Sequence, residues 1–173
     1  MKLKRKKQSK ARNKSNYIDN EKLLEEVIKY QKEVKKANGK FVKVSDELAK
    51  YFLLIAHNLA SKGNFISYTW KDEMISDGIE NCLRSVGKFN PSKGSNAFAY
   101  FSTIIFYAFV RRIKLENKQL YCKYKSFLCS DLMNDDEVLT IIQNHDNFKE
   151  HKLEFIDRFE KSMIKKNKKV VDD

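Results

Sequence analysis

Residues 70–118, WKDEMISDGIENCLRSVGKFNPSKGSNAFAYFSTIIFYAFVRRIKLENK, set an acidic amphipathic segment, a turn and a strongly aromatic segment in direct succession. The charge is polarised. Residues 71–80 hold four acids (Asp72, Glu73, Asp77, Glu80) and one base, whereas residues 84–125 hold nine bases and one acid, Glu116. In the first segment Met74, Ile75, Gly78, Ile79, Cys82, Leu83 and Val86 repeat at helical spacing, which predicts a buried stripe, and Glu73, Asp77, Glu80 and Arg84 fall on the opposite, wet face. Thr69 and Asp72 stand where a capping box would start this helix over about residues 70–86. Gly87 through Gly94 supplies the break, with Pro91 in an Asn-Pro-Ser context, and a second helix runs from about Asn96 past Asn117.

That aromatic helix is unusual for a surface element, since six of the twelve residues 98–109 are aromatic. Phe98, Phe101, Ile105, Ala108 and Phe109 form one stripe for a core; Tyr100, Thr103, Ile104, Tyr107 and Arg111 lie on another. Two readings stand open. Either the helix is central and packed on all sides, or it shows an aromatic platform beside Arg111, Arg112 and Lys114, the combination that holds unstacked bases against a phosphate backbone.

The rest of the chain is also helical in pattern, and one proline and five glycines leave little for a turn-rich β architecture. An all-α fold is expected. A helix over about 21–37 has Asp19 or Asn20 as cap, Leu23, Leu24, Val27, Ile28 and Val34 on its apolar face and Gly39 as its stop. A helix after Ser45 carries Leu48, Phe52, Leu53, Ile55, Ala56 and Leu59 inward, with Asp46 and Glu47 complementing its dipole. His57, alone in that helix, reads as structural.

Composition then sets the limits. The formal charge of +12 is concentrated at the ends: residues 1–14 hold eight bases and no acid, and residues 161–173 hold five bases and two acids. Residues 15–160 keep 22 bases against 21 acids, so the globular part is nearly neutral and the excess reads as solvated tails able to add salt-dependent phosphate affinity. The expected organisation is a basic tail (1–15), a helical domain (16–130), an acidic and helical extension (131–160) and a lysine-rich tail (161–173). Cys82, Cys122 and Cys129 have no metal-like spacing and are odd in number, which fits a reducing cytoplasm. The basic N-terminus lacks an apolar stretch typical of a secretory signal, and the apolar run 97–110 is too short for a bilayer. No phosphate-cradling glycine loop, HExxH or nucleophile elbow is present, so neither an enzyme nor a cofactor is expected.

In residues 70–118 the chain resembles region 2 of bacterial sigma factors, whose hallmark is an acidic helix ending in a KF-(D/N)-P-x-(R/K)-G turn followed by an aromatic helix. Here the turn reads Lys88-Phe89-Asn90-Pro91-Ser92-Lys93-Gly94. Within that group it is most similar to the late-transcription sigma factors of T4-like bacteriophages, a likeness that extends to Asn16-Tyr17, the segment from Tyr68 to Met74, Asn96-Ala97-Phe98-Ala99-Tyr100, residues 108–114 and the final Lys169-Val170-Val171-Asp172-Asp173.

The resemblance implies that Glu73, Ser76 and Asp77, with Glu80 on the same helix, dock on the β′ coiled coil of host core RNA polymerase. It implies that Tyr100 captures a base flipped from the non-template strand of a −10-like promoter element. Thr103 and Ile104 stand where housekeeping sigma factors carry two tryptophans, so the melting wedge is reduced. Tyr107, Val110 and Arg111 match positions facing the upstream duplex, with Arg111, Arg112 and Lys114 suited to phosphates. No region 4 follows, so no −35 readout is expected. A sliding clamp and a co-activator are the family's further partners; no clamp-binding peptide is visible, so that tether is lost, absent from this stretch of chain or supplied by another protein.

The resulting expectation is a sigma factor for phage late transcription in the cytoplasm of an infected bacterium, with no membrane partner. A polymerase-binding adaptor that occupies the sigma site without reading DNA, as inhibitor or co-activator, is the alternative. A helical nucleic-acid binder driven by its tails is a third reading.

Overall fold

The computed structural model describes residues 18–38, 42–92, 94, 96–130 and 148–171. Five α-helices run in chain order: α1 (Asn20–Lys36), α2 (Asp46–Ala60), α3 (Lys71–Ser85), α4 (Ala97–Leu128) and α5 (Phe148–Val171), with one 3-10 turn, Val86–Lys88, after α3. The described residues contain no strand, in keeping with the all-α expectation. The chain divides into two compact units, Met1–Ile113 and Lys114–Asp173. The division falls inside α4, earlier than the boundary expected at 130. The tail 1–15 and most of the acidic extension lie outside the described residues, as do Asn16-Tyr17, Gly39, Lys93 and the final Asp172-Asp173.

In the first unit, short polar side chains fix the helix starts. The Asp19 carboxylate accepts from Glu21 N at 3.0 Å and caps α1. Asn20 acts elsewhere: its Oδ1 accepts from Phe98 N at 3.0 Å, while Asn96 Oδ1 accepts from Ala99 N at 2.8 Å. Two asparagines thus serve the orphan amides at the start of α4. Ser45 Oγ accepts from Leu48 N and donates to Glu26 Oε2, capping α2 and tying it to α1. The expected box at α3 does not form. Trp70, whose indole has no acceptor, occupies the cap position, and its carbonyl receives Met74 N. Asn38, at φ 44°, ends α1 in the left-handed region that asparagine tolerates.

These four helices bury one apolar cluster. Leu23 and Val27 enter from α1, Leu48, Phe52, Ile55 and Ala56 from α2, Met74, Ile75 and Cys82 from α3, and Ala97, Phe101, Ile105 and Phe109 from α4. Phe52 meets Phe101 with centroids 4.7 Å apart, and Phe65, from the α2–α3 connection, meets Phe109 edge-on at 5.2 Å. Burial pushes the Cys82 thiol up to about 12, so it is an inert core group; Cys122 and Cys129 are exposed. Four residues expected inward are instead exposed: Val34, Leu53, Leu83 and Phe98. Leu53, Leu83 and Phe98 each adjoin a residue that is buried (Phe52, Cys82, Ala97) and stand 100° further round their helices, at the flank of the buried stripe. Val34 lies in the last turns of α1, beside the turn at residues 88–91.

The turn between α3 and α4 is held from α1. The Gln31 amide donates to both Val86 O (2.7 Å), which also accepts from Phe89 N, and Phe89 O (2.8 Å). Phe89 is buried and packs against Phe101 and Tyr100. The close approach of α3 to α4 depends on Gly78. A Cβ added there would sit 3.0 Å from Ile105 Cγ2 and 3.1 Å from Phe109 Cε1.

In the second unit, α4 from Lys114 onward and α5 pair antiparallel, as the order of their contacts shows: Tyr121 stacks on Phe159 at 4.6 Å, and Tyr124 meets Phe155 edge-on at 5.5 Å. Glu160 accepts from the Tyr121 hydroxyl and from Lys125 Nζ. Those bonds, the lysine's foremost, hold the Glu160 carboxyl below the usual carboxylate range, and the Glu160 bond raises Lys125. Residues 161–171, expected as a tail, continue α5; the i, i+4 pairs Glu154–Arg158 and Asp157–Lys161 support that helix.

Two outcomes are expected. Gly78→Val places branched carbons where a single Cβ is already tight and lowers stability by about 1–3 kcal/mol in a denaturant or thermal melt; a neutral result would mean that α3 and α4 are not in this contact. Because Glu160 is depressed in the folded state, its contribution is present above the ordinary carboxylate range and fades as pH falls through its folded value. Tyr121 ring signals in NMR should therefore shift on acidification, and Glu160→Gln should remove that dependence.

Candidate protein and nucleic-acid interface

The acidic face of α3 is less uniform than the sequence implied. Glu73 and Ser76 are exposed, and Glu73 has no ion-pair partner among the described residues. Glu80 is also exposed but is paired with Arg84 one turn on. Asp77 differs most. Its carboxylate takes a bidentate pair from Arg112, with Nε–Oδ2 at 2.7 Å and Nη2–Oδ1 at 2.8 Å. The side chains are only 28% and 24% exposed, so Asp77 is not the freely hydrated group expected from its position on the wet face.

Periodicity on α3 alone could not show this. A carboxylate at the edge of a buried stripe faces solvent or the neighbouring helix according to how the two helices cross. Gly78 brings α4 close enough for Arg112 to reach. One residue earlier, Arg111 Nη2 donates to Asn81 Oδ1 at 2.8 Å, and Asn81 Nδ2 donates to Asp77 O at 2.6 Å. The two arginines expected to act alike are therefore in different electrostatic states. The charge of Arg112 is compensated by a carboxylate; Arg111 is exposed, and its hydrogen-bond partner is neutral.

On α4, the outward stripe expected from the sequence is present, with graded exposure. Tyr100 is half-buried, its ring 5.1 Å from both Phe89 and Phe101. Ile104 and Val110 are half-buried. Thr103 is exposed, but its hydroxyl donates to Ala99 O of its own helix. Tyr107 is the most exposed large hydrophobic side chain of the helix at 62%, and Lys114, in the second unit, is exposed. The helix is thus neither packed on all sides nor a fully open platform. Of the two cations that α4 carries up to Ile113, Arg112 is compensated by Asp77 and Arg111 is bonded to a neutral amide, so this stripe combines aromatic and aliphatic surface with the charge of Arg111.

Asn81, Gln31 and Phe106 were not singled out from the sequence. Asn81 had a local signal, at i+4 from Asp77 and on the α3 face that meets α4. Gln31 had none, because its partners are 55 and 58 residues away. Among the described residues no group of histidine, cysteine, aspartate and glutamate could hold a metal ion, and no helix is long and apolar enough to cross a membrane. The chain matches no protein-family model and no curated protein.

Asp77→Ala removes the bidentate acceptor of the half-buried Arg112 and lowers stability by about 1–3 kcal/mol, whereas Asp77→Leu combined with Arg112→Met recovers most of the loss. A double-mutant cycle by chemical denaturation measures this; strict additivity would contradict the pairing.

Proposed function

We propose that the chain is a sigma factor of the region 2 type that binds core RNA polymerase through the exposed part of α3 and presents the outward stripe of α4 to a short A/T-rich −10-like promoter element. The reading rests on the resemblance at residues 70–118. One structural observation carries it furthest. Two helices packed on each other expose opposite chemistries, unpaired Glu73 with Ser76 on α3 and Tyr107 with Arg111 on α4, and the turn joining them is clamped by Gln31. A carboxylate on a rigid helix suits arginines of a basic protein surface, and an aromatic and cationic stripe suits unstacked bases with their phosphates.

Within this reading the roles are redistributed. Glu73, Ser76 and Glu80 form the polymerase side, and Asp77 serves mainly to brace α4 through Arg112. Arg111 and Lys114 carry the phosphate contacts, with Tyr100 and Tyr107 facing bases. Late phage transcription, cytoplasmic action in an infected bacterium, and recruitment by a co-activator and sliding clamp extend the proposal along the same resemblance.

The adaptor reading keeps one observation in its favour. Arg112 is neutralised within the fold, and Thr103 and Ile104 give no wedge, so a chain that holds the sigma site on polymerase without opening DNA would look similar here.

Glu73→Lys with Glu80→Lys inverts the exposed charge of α3 and should abolish capture of purified core polymerase while the chain stays folded by circular dichroism, with a melting temperature lowered slightly by loss of the Glu80–Arg84 pair and of the acid in the first turn. Retained capture by this folded variant would remove α3 from the interface.

A further inference from the structure

The hairpin of α4 and α5 is short of interior. Ile156 is the one buried side chain among the described residues of the second unit, and two helices alone enclose too little apolar area for an independent core. The aromatic rings are already engaged: Tyr121 stacks on Phe159, Tyr124 meets Phe155, and Lys152 Nζ lies 5.2 Å from the Tyr124 ring and 4.5 Å from that of Phe127. What stays open is aliphatic. Leu153 is 48% exposed and Ile164 57% exposed, and their separation of about three turns sets them on one line along α5. Glu160 lies beside that line and bonds Tyr121 and Lys125, which identifies the facing edge of α4 as Lys125 and, about two turns before it, the exposed Lys118.

We propose that this flank of the hairpin is a docking surface for an acidic amphipathic helix of a partner protein, which lays its apolar stripe along Leu153 and Ile164 and turns its carboxylates towards Lys118. A third helix completes the bundle that two cannot. Charge selects the occupant. The two helices of the hairpin, residues 114–128 and 148–171, hold 12 bases and five acids. A second copy of this chain would therefore meet like charge, whereas an acidic helix meets its complement. Nucleic acid would satisfy the lysines but leave the aliphatic line in water, and the rings that could stack on bases are turned to each other. This surface goes beyond the proposed function and does not depend on it.

The probe is a fluorescein-labelled designed helical peptide with leucine at heptad positions a and d and glutamate at e and g. It is titrated with the full chain by anisotropy, beside a scrambled peptide of the same composition and one with lysine replacing every glutamate. The wild type should bind the ordered acidic peptide saturably and more tightly than either control. Leu153→Gln with Ile164→Gln, which keeps good helix formers, should weaken that binding about tenfold. Lys118→Glu should weaken it too and flatten its salt dependence. As a change at an exposed position, Lys118→Glu decides the matter if the glutamine pair loses helix by circular dichroism.

Equal affinity of the folded glutamine pair and the wild type would overturn the surface, as would equal binding of the ordered and scrambled acidic peptides or no binding of the ordered one. Three further results would assign the flank to another occupant and overturn the partner helix. A wild type that sediments as a dimer, with the glutamine pair monomeric, would make it an interface between copies. A tighter peptide complex after Asp135→Asn, Asp136→Asn and Glu137→Gln would give it to the chain's own connection between α4 and α5. A DNA duplex that displaces the peptide, and whose own binding the glutamine pair weakens equally, would make it a phosphate-binding surface.

Discussion

The contact between α3 and α4 governs the first unit, and it depends on the missing side chain at Gly78. Without a Cβ there, Ile105 and Phe109 lie directly against α3, the helices close together, and Arg112 reaches Asp77 for a bidentate pair. The apolar part of this contact supplies most of the adhesion, because burial scales with area; the ion pair mainly fixes rotation and register, since much of its Coulomb energy offsets desolvation. Together they set which face of each helix meets solvent. The exposure of Glu73, Tyr107 and Arg111 is a consequence.

That dependence explains what could be read from residue order alone. The helices, the break at residues 87–94, most of the buried stripe on each helix and the all-α class follow from local periodicity and punctuation, which act within a few residues. Misassigned positions such as Leu53, Leu83 and Phe98 sit beside another apolar residue, where only the crossing of helices chooses. The pairing of Asp77 with Arg112 spans 35 residues and joins groups that had been allotted to opposite interfaces. Charge pattern identified both as surface-forming types and could not reveal that they satisfy each other. The continuation of α5 through the lysine-rich stretch was hidden because net charge reads as solvation; the i, i+4 pairs that favour helix, Glu154–Arg158 and Asp157–Lys161, reach no further than the first residue of that stretch, which itself holds no acid up to Val171.

The candidate site divides in the same way. The outward stripe from Tyr100 to Arg111 is legible as a helical face, but its electrostatic grading is not. A carboxylate neutralises one arginine and an amide orients the next, so adjacent residues of one type acquire different capacities: Arg112 braces, Arg111 remains available to a phosphate. Tyr100 is likewise drawn towards the core by Phe89, leaving Tyr107 as the aromatic most open to a ligand. The near neutrality of residues 15–160 complements this picture. On the proposed function, a protein of this charge relies on a larger partner to bring it to DNA, and its phosphate contacts fix position rather than read sequence.

The most direct measurement of the central claim is run-off transcription by purified core RNA polymerase with and without this chain, on a supercoiled template carrying an A/T-rich −10-like element and no −35 box. The account predicts a transcript of defined 5′ end that depends on the added protein. Stable binding to polymerase with no initiated transcript would contradict it and establish an adaptor; absence of binding would remove the polymerase from the account altogether.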